Sequence, residues 1–250
     1  MCQTTQLNSG VGLRTELELG QRELSARFQG SPACIVGPRK SLVSGDGSRD
    51  VICRLRAGWA CRFRGLPNGR RAIIDIYLPG DIIGLDLGRR TRPLQEVLTL
   101  TSVTVERIEA TDALIDLMAS RATALYIAWL LGQRQRRTDR RLVAISCLDA
   151  RGRLATMILE FYTRLRRRRL VAGSRYNLPL TQIQIGDYLG LTVVHLNRVL
   201  RSLRNDGIIK VERRCVTILD LERLMSLGQP ETITGSRPDS EERPVSAAAD

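Results

Sequence analysis

Residues 180–206 constrain the fold more than any other stretch of the chain. Thr181 carries a hydroxyl that can accept a hydrogen bond from the first turn of a helix, and Gln184 stands three residues on, as a capping box requires. The helix predicted from this cap runs to Leu189, with Ile183, Ile185 and Leu189 as its apolar residues. Gly190 supplies the residue tolerant of positive φ that a tight turn between helices needs. Thr192 caps a second helix, predicted over 193–206, in which Leu196, Val199, Leu200 and Leu203 form an apolar stripe. Gly186, four residues before the turn glycine, leaves out a side chain where two steeply crossing helices would collide. A small residue, a turn glycine four later and a buried aliphatic six after that is the spacing of a helix-turn-helix. Gly207 closes the second helix, and residues 208–212 and 215–219 can pair around Arg213-Arg214 as a basic-tipped hairpin. The unit is therefore read as a winged helix-turn-helix.

In such a unit the second helix enters the major groove through its outward N-terminal residues, here Val193, Val194, His195, Asn197, Arg198 and Arg201. Base contacts are assigned to Val194, His195, Asn197 and Arg198. The planar fork of Arg198 can donate two hydrogen bonds to a guanine edge, Val194 suits a thymine methyl, and Asn197 suits a base edge or a phosphate. Thr181, Thr192, Arg201, Lys210, Arg213 and Arg214 are assigned to phosphates, which fix register without reading sequence.

The preceding sequence has a different texture. From Ala33 to Ile108 short apolar runs, several rich in β-branched residues, are separated by glycines at about ten-residue spacing. Pro67-Asn68-Gly69 is a turn whose flanking runs can pair as a hairpin. This reads as an all-β barrel or roll, preceded by a helix around residues 13–28. A long helix is predicted over 120–148 and another over 150–169, the latter ending in four arginines. Ile127, Leu131, Leu142 and Ile145 fall near a 3–4 spacing with Thr138 between, a seam suited to helix pairing and assigned as a dimer interface. The tail, 228–250, is rich in Pro, Ser, Thr, Glu and Ala without periodicity and is expected to be disordered.

Charge narrows the partner. The chain carries 39 basic and 26 acidic residues, a net +13. Residues 150–228 hold 15 basic and 6 acidic residues, a net +9, so the excess is concentrated around the helix-turn-helix and favours double-stranded DNA. The six cysteines show no CxxC spacing and the single histidine is His195, so neither metal nor cofactor is expected. No nucleophile–base set or phosphate loop is visible, which argues against an enzyme. No apolar run approaches the ~20 residues that span a bilayer, and the first twenty residues lack a signal-peptide stretch, so a cytoplasmic location without membrane contact is expected. The rival reading is a cytoplasmic ligand-binding or scaffold protein whose winged domain contacts protein.

The stretch 179–200, PLTQIQIGDYLGLTVVHLNRVL, followed by Asp206-Gly207-Ile208-Ile209, resembles the DNA-binding domain of the Crp-Fnr transcription regulators. Gly58-Trp59-Ala60-Cys61-Arg62, Leu66-Pro67-Asn68-Gly69-Arg70-Arg71 and Leu78-Pro79-Gly80-Asp81-Ile82-Ile83-Gly84-Leu85 resemble the same family's sensory β-roll. The match spans about residues 15–225. The resemblance implies an α+β chain: a jelly-roll-like sensory roll at 15–118, a dimerisation helix at 119–148 and a winged DNA-binding domain at 149–227. It implies a homodimer on a palindromic operator, with RNA polymerase as a further partner, and places an arginine matching Arg198 in the recognition helix. The family's cyclic-nucleotide members carry a Gly-Glu pair and then an Arg-Ser pair. Here Gly84 is followed by Leu85-Asp86, and Gly88-Arg89-Arg90-Thr91 has no equivalent. Cys2 alone cannot hold the cluster that the oxygen-sensing branch ligates through grouped N-terminal cysteines. An effector other than a classical cyclic nucleotide is expected.

Overall fold

The chain divides into two units, Met1–Arg140 and Arg141–Asp250, in a computed structural model that describes residues 6–43, 51–65, 71–85, 95–109 and 116–228. The Pro67-Asn68-Gly69 turn, the segment after Leu85 and the tail from 229 lie outside the described residues.

The first unit opens with helix α1 (Gln6–Gln29). Eight strands follow: β1 (Cys34–Val36), β2 (Ser41–Val43), β3 (Val51–Ala57), β4 (Ala60–Gly65), β5 (Arg71–Tyr77), β6 (Ile82–Ile83), β7 (Gln95–Thr99) and β8 (Val103–Glu109). They form two antiparallel four-stranded sheets, ordered β1-β8-β3-β6 and β2-β7-β4-β5. Strands β4 and β5 pair from Ala60↔Tyr77 to Gly65↔Arg71, so the runs flanking the asparagine-glycine turn do form one antiparallel pair.

Alternation builds the roll. Cys53 and Leu55 of β3 face inward with Val103 and Val105 of β8, and meet Leu42, Ala60, Tyr77 and Val97 from the other sheet. The alternate residues of β3, Ile52 and Arg54, point to the other face of the sheet. Ile52 packs with Leu24 and Phe28 of α1, and the Arg54 guanidinium lies 4.8 Å over the Phe28 ring while its Nε donates to Glu106 at 2.5 Å. The one-residue switch of face is the period of a pleated strand.

Helix α2 (Arg121–Cys147) begins in the first unit and ends in the second. The Ser120 and Thr123 hydroxyls donate to the Glu23 carboxylate and hold its pKa below the usual carboxylate value. Arg134, further along α2, donates from Nε to Asp75 at 3.1 Å and from Nη2 to the Tyr77 hydroxyl at 2.6 Å.

The second unit contains α3 (Ala150–Arg167), β9 (Arg175–Asn177), α4 (Gln182–Leu189), α5 (Val193–Asn205), β10 (Ile209–Glu212), β11 (Cys215–Ile218) and α6 (Leu221–Gly228). Asp149 caps α3 by accepting from Gly152 N at 2.8 Å. The helix stops at Arg167, two residues short of the arginine run's end, because Arg169 turns left-handed (φ 57°) and Leu170 N reaches back to Leu165 O at 2.9 Å. Strands β10, β11 and β9 form one sheet in that order. Strand β9, absent from the sequence prediction, buries Tyr176, whose hydroxyl donates to Ile158 O at 3.1 Å and is pushed to higher pKa by that burial. Helix α6 buries Leu224 and ends with Gly228 O accepting from the Thr156 hydroxyl.

Candidate nucleic-acid interface

The two helices of the recognition unit are set by local chemistry. Thr181 sits in extended backbone before α4; its Oγ1 accepts from Gln184 N at 3.2 Å and its N–H donates to Gln184 Oε1 at 2.8 Å, a complete capping box. Gly190 closes α4 in the left-handed region (φ 68°, ψ 34°), and its N–H donates to Gly186 O. Thr192 then caps α5, accepting from His195 N at 3.2 Å.

Gly186 is required, though by the turn rather than by the second helix. A Cβ there would lie 2.6 Å from the carbonyl oxygen of Leu191. On α4 the buried residues are Ile185, Gly186, Tyr188 and Leu189. Ile183, expected among the apolar contacts, instead leaves 64% of its surface exposed, because the helix turns that position away from α5.

On α5 the stripe Leu196, Val199 and Leu203 is buried and Leu200 is partly so. The opposite face is open. Val194 is 74% exposed, and His195, Asn197, Arg198 and Arg201 are exposed with it. At the far end, Arg151 of α3 donates to Ser202 Oγ at 2.7 Å and to Asp206 Oδ2 at 2.6 Å, fastening the C-terminal end of α5.

The hairpin after α5 pairs Glu212 with Cys215, leaving Arg213 and Arg214 as a two-residue loop. Both arginines are left-handed, at φ 45° and 65°. Such a turn favours Asn-Gly, and holding two β-carbon-bearing residues there stores strain at the tip of the wing.

A family model described as a Crp-like helix-turn-helix domain matches residues 152–227. The anaerobic regulatory protein of Haemophilus influenzae is 28% identical over 188 residues, covering 74% of this chain and 72% of that protein. The nitrogen fixation regulation protein FixK of Rhizobium meliloti is 25% identical over 205 residues, covering 78% and 90%. The structure of FixK2 from Bradyrhizobium japonicum superposes with a TM-score of 0.71 at 23% identity, covering 80% of this chain and 98% of that one. Residues 152–227 belong to the Crp-like helix-turn-helix family, and the chain is a transcription regulator of the Crp-Fnr type. The protein-contacting scaffold is correspondingly disfavoured.

Within this Crp-Fnr regulator, several expected site residues are occupied by the chain itself. Asn197 donates from Nδ2 to Gln182 Oε1 at 3.1 Å, tying α5 to the first residue of α4. Lys210 pairs with Glu212 at 2.9 Å on an exposed strand. Ile127 is 1% exposed in the cluster with Leu24, Phe28, Ile52, Leu85 and Leu117 and so faces its own roll instead of a seam, and the partly buried Leu131 packs against the same cluster. Ile145 lines a small cleft with Met157 and Tyr188. Thr138 donates to Arg134 O within the helix. Of the five seam residues only Leu142 is open, at 63% exposure.

Two residues were not singled out in the sequence. Gln182 carries no signal of its partnership with a residue fifteen positions on. Arg175 borders an open recess with Glu212 and Arg213, and belongs to a three-residue strand too short to show a period. Among the described residues no cluster of three or more His, Cys, Asp or Glu side chains is grouped as for a metal, and no helix is long and apolar enough to cross a membrane.

Proposed function

We propose that this Crp-Fnr regulator binds a palindromic operator as a cytoplasmic homodimer, with α5 of each protomer in a major groove. The observation that carries this reading is the open face of α5: Val194, His195, Arg198 and Arg201 are exposed along one side of a helix whose other side is buried. Arg198 and Arg201 have no ion-pair partner among the described residues, so their donors are free for an anionic duplex. Arg198 reads a guanine; Thr181, Thr192, Arg201, Lys210, Arg213 and Arg214 lie against phosphates. Asn197 acts mainly as a positioning residue through Gln182.

The homodimer forms through α2, on which Leu142 is exposed while Ile127 is buried within its own unit. The roll is the sensory part, with an effector other than a classical cyclic nucleotide, and RNA polymerase is a further partner on the DNA. Replacing Arg198 by Ala is expected to cost about 1–3 kcal/mol per half-site, and thus at least tenfold in affinity, in a gel-shift titration on the operator. Undiminished affinity would remove the recognition-helix assignment.

A further inference from the structure

The side chains on the open face of α5 limit which base edges they can read. A cytosine is read by an acceptor such as Asp or Glu, and the first turn of α5 contains neither. An adenine is read by an Asn or Gln amide, and one N–H of the Asn197 amide is directed to Gln182 Oε1 at 3.1 Å. Two chemistries share one stripe of the helix. Arg198 supplies the fork that fits guanine, and Val194, one turn earlier at i−4, supplies a bare apolar surface. A valine left 74% exposed keeps most of its apolar surface uncovered within its own chain. The apolar group that a major groove offers is the C5 methyl of thymine.

We propose that Val194 reads a thymine methyl in each operator half-site, and that this contact together with the Arg198–guanine contact sets which sequences the protein prefers. The proposal rests on α5 being the recognition helix and adds the identity of its second determinant. His195 lies about 100° around the helix from Val194 and Asn197 about 60° the other way, whereas Arg198 and Arg201 stay close to its line, by the 3.6-residue period. The reading stripe is therefore narrow: one methyl contact, one guanine fork, and a cation behind them.

The test begins with operator DNA selected from random duplexes by the purified full-length protein. Each thymine is replaced singly by deoxyuridine, which deletes the C5 methyl and leaves the hydrogen-bonding edge intact. One symmetry-related position is expected to weaken gel-shift affinity about fourfold per half-site and about fifteenfold when both are changed, the effect of losing one buried methyl-sized group. Val194→Ala should bind the unmodified operator as weakly as the wild-type protein binds the doubly substituted one, and should lose nothing further on substitution. An operator with no methyl-sensitive thymine, or methyl sensitivity that persists undiminished in Val194→Ala, overturns the proposal. If Arg198→Ala abolishes operator binding while no thymine is methyl-sensitive, the Val194 inference alone falls. If the protein enriches no sequence at all, the recognition-helix reading falls with it. Because Val194 is exposed, an unchanged melting temperature in Val194→Ala separates a reading defect from a folding one.

Discussion

Arginine does opposite work in the roll and on the exposed face of α5 with its wing. In the roll, Arg54 is almost enclosed: its guanidinium lies over Phe28 and bonds Glu106, and the side chains are 14% and 11% exposed. Arg134 is held likewise by Asp75 and Tyr77, and Arg71 stacks 4.7 Å over Phe63. In the recognition unit Arg198, Arg201, Arg213 and Arg214 are exposed and have no ion-pair partner among the described residues. The same residue type thus builds structure where it finds a carboxylate and a ring, and offers charge where it finds neither. Counting arginines cannot separate these uses; their partners can.

Salt should divide the two populations most sharply. If Lys210, Arg201, Arg213 and Arg214 face phosphates as proposed, a dimer has eight such cations and operator affinity should fall by about 10³–10⁵ between 50 and 200 mM salt. The melting temperature of the roll, whose pairs are buried, should barely move over that range. A flat binding response would erase the distinction. Next in size, Arg54→Ala leaves Glu106 buried without its closest partner and should destabilise the first unit by about 3–5 kcal/mol in a denaturant titration, with operator contacts intact.

The wing tip joins both sides of the comparison. Replacing Arg213 with Asn and Arg214 with Gly relieves two left-handed residues and should raise stability by about 1–2 kcal/mol, while lowering operator affinity and the salt slope. A variant that gains stability without losing affinity would show that the strain serves no contact. The smallest effect is expected at Lys210, whose exposed pair with Glu212 contributes under about 0.5 kcal/mol; Lys210→Ala should leave the melting curve unchanged and register only as a shallower salt slope.

The recognition unit was legible where its determinants are local. Thr181 with Gln184, Gly190 with Gly186, and the buried stripe on α5 are each settled within about a dozen residues, and the structure has all three. The succession of strands was legible too, because alternation and glycine punctuation are local. What could not be read depends on distant chain. Ile127 turns inward because Leu24 and Phe28, a hundred residues earlier, bring an apolar face to it. Strand β9 exists because β11 pairs Cys215 with Asn177 across nearly forty residues. Asn197 looked like a free reader until Gln182 was placed beside it.

The close approach of the Leu191 carbonyl to Gly186 has a genetic consequence. Every substitution at the first or second base of a glycine codon either installs a β-carbon or stops translation. Each missense change there would force the turn between α4 and α5 open while leaving every DNA-facing side chain as it was. Alleles at this codon should therefore recur among regulators that have lost their operator without losing one residue that touches it.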